Sequence, residues 1–343
     1  MKQTILLFVF LFSLRLLVAQ QEQAAEKLVA EGMELTFKGE LYKALALYDK
    51  ALGLDKYNFF ALREKALALT LLGKHDEAIE YCKLAIEKHP DAKTLNNIYL
   101  IYGNALEEKH KLLDALTIYN QGLKQFPDDN LLYYGKGITF WQMADQDNAI
   151  ACLKKSIKLN PSHASSHYAL GRLLILQGKN IPALFAFSRF LIDEPTGQRA
   201  KDALEGVKII MKGEVEKTGK HKFTIYYDPN DSSFISSELV ISLIVALNYK
   251  DETKKRLETE LFTYKFSLVC ELLKHAQNEN KGFYWDYYIP YFIDLYNRNL
   301  LQPFTYIVYE SSGDKEIEKW LKANKLSIDE FYDWSQSFEW MRK

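Results

Sequence analysis

The chain of 343 residues carries 44 Lys and Arg against 45 Asp and Glu, 14% aromatic residues and three cysteines. The balanced charge excludes a whole-chain field for nucleic acid or acidic membranes, and the ordinary apolar and charged shares exclude a disordered chain. An odd, small cysteine count excludes a disulfide scaffold and a four-cysteine zinc site, and 8 prolines with 16 glycines are few for an all-β protein.

At the N-terminus Met1-Lys2 precedes an apolar run from Ile5 to Val18, closed by Ala19 and the polar Gln20-Gln21-Glu22-Gln23. A basic start, a short apolar stretch and a small residue at its end predict a secretory signal peptide over residues 1–19. The alternative is a buried N-terminal helix, but the run shows no polar face of period 3.6. Arg15 inside the run counts against a permanent span, so no integral membrane segment is expected once the signal is removed. The predicted location is exported, periplasmic or secreted, with association to the envelope and retention of the segment as an anchor left open. In such an oxidising space Cys82, Cys152 and Cys270 are expected to be shielded.

From about Ala25 the chain repeats. Ala44, Ala78, Ala115, Ala149 and Ala183 stand 34, 37, 34 and 34 residues apart, and Pro90, Pro127, Pro161 and Pro195 each follow an alanine by twelve residues. Twelve residues before the alanines stand Gly32, Ala66, Gly103, Gly137 and Gly171. Small residues at paired places let two antiparallel helices approach closely, and a proline after the second helix closes it. Tyr48, Cys82, Tyr119, Leu153 and Phe187, four residues beyond each alanine, are expected to fill the gap between neighbouring pairs.

This register resembles the tetratricopeptide repeat family five times over, at residues 25–58, 59–92, 96–129, 130–163 and 164–197, with a closing helix at 198–212. Gly39, Gly73 and Gly178 fall at the family's turn between paired helices, where His110 and Ala144 replace glycine in the other two repeats. The first repeat has Lys56 in place of its proline, and the second junction carries three extra residues around Lys93-Thr94-Leu95. The resemblance implies an all-α fold, a right-handed superhelix of about five helical hairpins. Because one hairpin cannot bury both faces, stacked neighbours supply the core and a curved face is left for ligands.

In this family the first helix of each repeat lines the concave face. Carried over by register, the binding groove is expected at Arg63, Leu67, Asn104, Tyr134, Ile138, Trp141, Tyr168 and Arg172. The Lys and Asn clamp with which one branch grips C-terminal carboxylates is absent, since Val29 and Met33 occupy its first two places. An apolar, aromatic groove of this kind takes a peptide or protein segment, or is packed by the chain's own C-terminal region.

Beyond Gly213 the register stops, and residues 213–343 are expected to form one mainly helical domain with at most one short strand. Lys222 to Tyr227 is β-prone and ends in the turn cluster Asp228-Pro229-Asn230-Asp231. Helices are predicted over Ser232–Asn248, Glu252–His275 and Ser327–Trp340, with another opened by Ser311-Ser312-Gly313-Asp314. Between them Phe283 to Ile293 is intensely aromatic, with Pro290 as a kink. The tail resembles that of exported bacterial repeat proteins, a likeness that carries no assigned activity.

No catalytic, cofactor or metal site emerges. His163 and His167 have the i, i+4 spacing of helical ligands but lack the glutamate of a His-Glu-x-x-His pair, which favours a cap and an interhelical histidine. Asp228-x-Asn230-x-Ser232 starts like a calcium loop and fails at Ser233 and Leu239. Lys254-Lys255-Arg256 reads as a solvated face, and no cysteine has a histidine placed as its base. The expected function is a non-enzymatic protein–protein scaffold with no nucleic-acid partner. The alternatives are a C-terminal enzyme or small-ligand receptor recruited by the repeats, and a structural role in envelope assembly.

Overall fold

The protein is described here by a computed structural model covering residues 2–213, 215–219, 222–225, 234–248 and 257–340. Its seventeen α-helices among the described residues make it all-α, as the repeat register implies. It divides into two compact units, Met1–Ala149 and Ile150–Lys343.

The first unit runs α1 (Lys2–Phe37), α2 (Leu41–Leu54), α3 (Phe59–Leu71), α4 (His75–Lys88), α5 (Leu95–Glu108), α6 (Leu112–Gln125) and α7 (Asn130–Gln142). Paired neighbours α1/α2, α3/α4 and α5/α6 form antiparallel hairpins. The three hairpins each turn on one left-handed residue, Gly39, Gly73 and then His110 (φ 56°) where the glycine is replaced, and Ala144 (φ 60°) is left-handed in the same way after α7. Holding a side chain there costs about 1–2 kcal/mol, which at His110 the packed helices α5 and α6 absorb. Asn58 and Asp129 cap α3 and α7 by accepting from Ala61 N and Leu132 N at 3.0 and 2.8 Å. The extra residues of the second junction lengthen the loop before α5 and add one residue to that helix.

The interior follows the small-residue register. Tyr48, Cys82 and Tyr119 are fully buried between helices, and the thiol of Cys82 is pushed far up its scale by burial. Tyr119 is wedged between Gly103 and Gly135: a Cβ at Gly103 would stand 2.3 Å from the ring, and one at Gly135 2.7 Å. Held from both sides, the ring cannot yield. Gly103→Ala is therefore expected to cost about 1–3 kcal/mol by overpacking. A urea unfolding midpoint equal to that of the wild type would show that the ring has room.

The second unit holds most of α8 (Gln146–Leu159), then α9 (Ala164–Leu176), α10 (Asn180–Asp193) and α11 (Gln198–Lys212). A hairpin follows, β1 (Val215–Gly219) and β2 (Lys222–Ile225), antiparallel with Val215 opposite Ile225. The β-prone run at Lys222 is thus a strand. It has a partner outside the single strand expected, because Glu216, Lys217 and Thr218 carry no apolar signal. The turn cluster at 228–231, the calcium-loop-like segment and the basic run at 254–256 lie outside the described residues.

Next come α12 (Ile235–Asn248), α13 (Glu258–Ala276), a π turn (Tyr284–Tyr288), α14 (Ile289–Asn297), α15 (Leu301–Val308), α16 (Lys315–Ala323) and α17 (Lys325–Ser337). Pro290 has no N–H to give, and the turn before it widens so that Ile289 N donates to Tyr284 O. The proline thus begins α14 after a π turn. Gly313 is left-handed, and Asp314 caps α16 by accepting from Glu316 N at 2.9 Å.

Helix α10 is buried along its whole length from Ile181 to Ile192, and α9, α11, α12, α15 and the π turn pack around it. Phe185 stacks on Phe292 at 4.8 Å and meets Phe266 edge-on at 6.0 Å. Lys265 is buried and donates to Met211 O near the C-terminus of α11, where a cation complements the helix end; burial pulls its ammonium down to about 8. Repeat helices and the helices beyond Lys212 therefore share one core within this unit.

Candidate peptide-binding face

In the first unit the expected groove residues lie on the first helix of each hairpin: Arg63 and Leu67 on α3, Asn104 on α5, and Tyr134, Ile138 and Trp141 on α7. Leu67, Tyr134, Ile138 and Trp141 are half-buried, and Asn104 is exposed. Apolar surface continues on α1 and α3, where Phe37 is 94% and Leu71 59% exposed. Val29, by contrast, is buried between helices.

Arg63 is engaged within the fold. Its Nε donates to Glu64 Oε1 at 2.7 Å, and its guanidinium lies over the Phe60 ring at 5.2 Å. Beside Asn104 lies a group that sequence reasoning missed. Glu107 faces the Tyr119 and Thr139 hydroxyls, and Tyr119 OH also reaches Asn104 Oδ1 at 2.7 Å. Burial pushes the Glu107 carboxyl up to about 7, with the two hydroxyls opposing and Glu108 adding to the rise.

In the second unit Tyr168 and Arg172 stand on α9, one turn apart, with the Arg172 guanidinium 5.8 Å from the Tyr168 ring. They line an open cavity of about 330 Å³ with Ile175 and Leu176, closed from the other side by Asp202, Glu205 and Ile209 of α11. Leu176 and Ile209 are 64% and 59% exposed. The C-terminal helices cover α10 instead, so at this repeat the face of α9 bearing Arg172 and Leu176 stays open.

His163 and His167 of the same unit are structural. His167 is fully buried; its Nε2 donates to Pro161 O at 2.9 Å, which leaves Nδ1 to accept from Tyr288 OH at 2.7 Å. Burial pulls its pKa down to about 3, so the ring is neutral and both nitrogens are used. His163 is the N-cap residue of α9 and bonds Ser166 Oγ at 2.7 Å. Cys152 and Cys270 are buried thiols outside any disulfide. Among the described residues no helix is long and apolar enough to cross a membrane.

A second group escaped sequence reasoning, although a signal was present. Arg189 and Asp193, at i, i+4 in the otherwise apolar α10, form a buried ion pair with Nη1 2.7 Å from Oδ1. A lone charge pair in such a helix marks a place where the interior turns polar.

The repeats have counterparts elsewhere. Family models described as tetratricopeptide repeat match residues 29–93 and 132–163. Protein STIP1 homolog of Dictyostelium discoideum is 29% identical over 154 residues, which cover 36% of this chain and 27% of that protein. The chain thus spans about a quarter of that relative. Uncharacterized protein MJ0572 of Methanocaldococcus jannaschii is 40% identical over 75 residues, 21% of this chain and 87% of that one. Among solved structures, TTC0263, a thermophilic TPR protein of Thermus thermophilus, aligns over 54% of this chain and 100% of its own at 21% identity, with a TM-score of 0.48. With Gly103 of the small-residue register closed on Tyr119 and two stretches matched by the family models, the chain belongs to the tetratricopeptide repeat family.

Proposed function

We propose that the chain is a non-enzymatic scaffold that holds a peptide or protein segment of a partner against the inner helices of its repeats. Proteins of this family generally mediate protein–protein interaction. The observation that carries the proposal is the open cavity on α9 and α11, where an aromatic ring, a guanidinium and exposed aliphatic side chains converge at the register positions of a groove. An apolar side chain of the partner is buried against Tyr168 and Leu176, while Arg172 meets a carboxylate or backbone carbonyl. In the first unit Leu67, Tyr134, Ile138 and Trp141 offer the apolar wall and Asn104 the hydrogen bonds. Arg63, already paired with Glu64, contributes mainly its flat face.

Peptides selected from a random display library on the full chain test this reading. Their affinity is expected to fall by about 1–2 kcal/mol, roughly tenfold, in Trp141→Ala or Tyr168→Ala, with the helical circular dichroism unchanged. Unaltered affinity in both variants would place recognition off the groove. We further propose that the protein acts after export, on the strength of Met1-Lys2, the apolar Ile5–Val18 run and Ala19. N-terminal sequencing of the protein from cell fractions is expected to begin near Gln20; a chain starting at Met1 inside the cell would refute export.

A further inference from the structure

A large cavity in the second unit lies away from the groove helices. It has a volume of about 990 Å³, at the upper end of the ~300–1,000 Å³ usual for small-molecule sites, and lies beside the Arg189–Asp193 pair. Its walls are the loop from Leu159 to Ser162, the end of α10, the end of α17 and the extended segment Phe338–Trp340.

Arg189, 3% exposed, forms part of that lining. Its Nη1 is held by Asp193 Oδ1, and its Nε is buried without a partner. No other group among the described residues hydrogen-bonds the Asp193 carboxylate, whose second oxygen is left for a guest. Donor and acceptor are thus fixed side by side on a rigid, poorly hydrated floor. Burial also lifts the Asp193 carboxyl above its ordinary range, the Arg189 charge opposing. The rim adds the amides of Asn160 and Gln336 and the rings of Tyr332 and Trp340. Trp340 is pinned by stacking on Tyr287 and Tyr291 at 4.6 and 4.8 Å, with the Arg189 guanidinium 5.5 Å away.

Charge selects the guest. One guanidinium stands against two carboxylates, Asp193 and Glu339, so phosphates and carboxylates are repelled. The guanidinium already neutralises Asp193, which leaves only the exposed Glu339 at the rim, too well solvated to select an ammonium ion. What remains is a neutral molecule whose adjacent groups both donate and accept, with an apolar face for the aromatic rim. Vicinal hydroxyls on a pyranose ring meet that description: one donates to Asp193 while its neighbour accepts from a guanidinium or amide N–H, and the axial C–H face lies on an aromatic ring.

We propose that this cavity binds a saccharide, with Asp193 and the Arg189 guanidinium reading a pair of hydroxyls and Trp340 supporting the ring.

Saturation-transfer NMR and calorimetry on the full chain test it with methyl glucoside, methyl galactoside, methyl mannoside, N-acetylglucosamine and maltotriose as probes, against choline and inorganic phosphate. At least one glycoside is expected to saturate. Its affinity should fall at least tenfold in Asp193→Asn and in Trp340→Ala, and about threefold in Gln336→Ala, whose exposed position leaves the fold intact. Binding of choline or phosphate in preference to every glycoside overturns the proposal. So does the absence of glycoside binding, or glycoside binding indifferent to Gln336→Ala and Trp340→Ala.

Discussion

Phe185→Ala is expected to destabilise the second unit by about 3–5 kcal/mol, more than any exposed substitution on the groove. The ring is fully buried, stacked on Phe292 and edge-on to Phe266, which itself lies 4.9 Å from Phe304. Truncation removes apolar area from water and also leaves a hole that three rigid rings cannot collapse into. The loss falls where α10 meets α13, α14 and α15, so the C-terminal helices should loosen with it. Four of the five tryptophans (Trp285, Trp320, Trp334 and Trp340) lie in this unit, and their fluorescence in urea reports its transition. Leu176→Ala, at an exposed position of α9, should move the same midpoint by less than about 0.5 kcal/mol. A shift below about 1 kcal/mol for Phe185→Ala would show that the helices beyond Lys212 do not share the core of the last repeat.

That shared core explains where sequence reasoning worked and where it stopped. The hairpins were legible because their determinants are local and repeated: an alanine and a small residue set the helix spacing, and one left-handed residue sets the turn. His110 adopts the glycine conformation because the packed helices α5 and α6 that it joins over-determine the turn. The place of α10 was legible as a repeat helix, but not its role as the axis of the second unit. Phe185 and Phe190 look like ordinary repeat packing, and only tertiary structure brings Phe266 and Phe292 to them.

The same distinction holds for the candidate sites. Tyr168 and Arg172 were placed by register and do meet at one cavity. The Arg189–Asp193 floor draws its walls from stretches of chain far apart in sequence, and no spacing along the chain encodes that convergence. The π turn before Pro290 is intermediate. The proline announced a disturbance, while its form depended on the buried Trp285, Tyr287 and Tyr288 that the wider turn accommodates.

A larger pH effect is expected from Glu107 than from any other described carboxylate of the first unit. With its carboxyl raised to about 7 against an ordinary 4.5, the folded unit binds a proton between those values that the unfolded chain has already released. Stability therefore falls as pH rises from about 4.5 to 7 and is level above, by on the order of 2–3 kcal/mol in all. Burial makes the proton welcome, and the two hydroxyls offset it only in part because each has a single hydrogen to share. Thr139 has one hydrogen for both Gly135 O, at 3.0 Å, and Glu107, and Tyr119 has one for both Asn104 and Glu107. A protonated Glu107 supplies the missing donor, whereas the ionised form leaves the hydroxyls divided between acceptors. Glu107→Gln offers that donor at every pH through its amide. It is expected to be more stable than the wild type by about 2 kcal/mol at pH 8, equal to it near pH 5, and flat between. Urea titrations at the two pH values decide the matter, and a variant retaining the wild-type slope would move the titration to another group. Because Tyr119 links Glu107 to Asn104, the same proton stiffens α5 against α6 and α7, beside the face proposed to take a partner. Peptide affinity at Asn104 should then weaken from pH 5 to pH 8 in the wild type and not in Glu107→Gln.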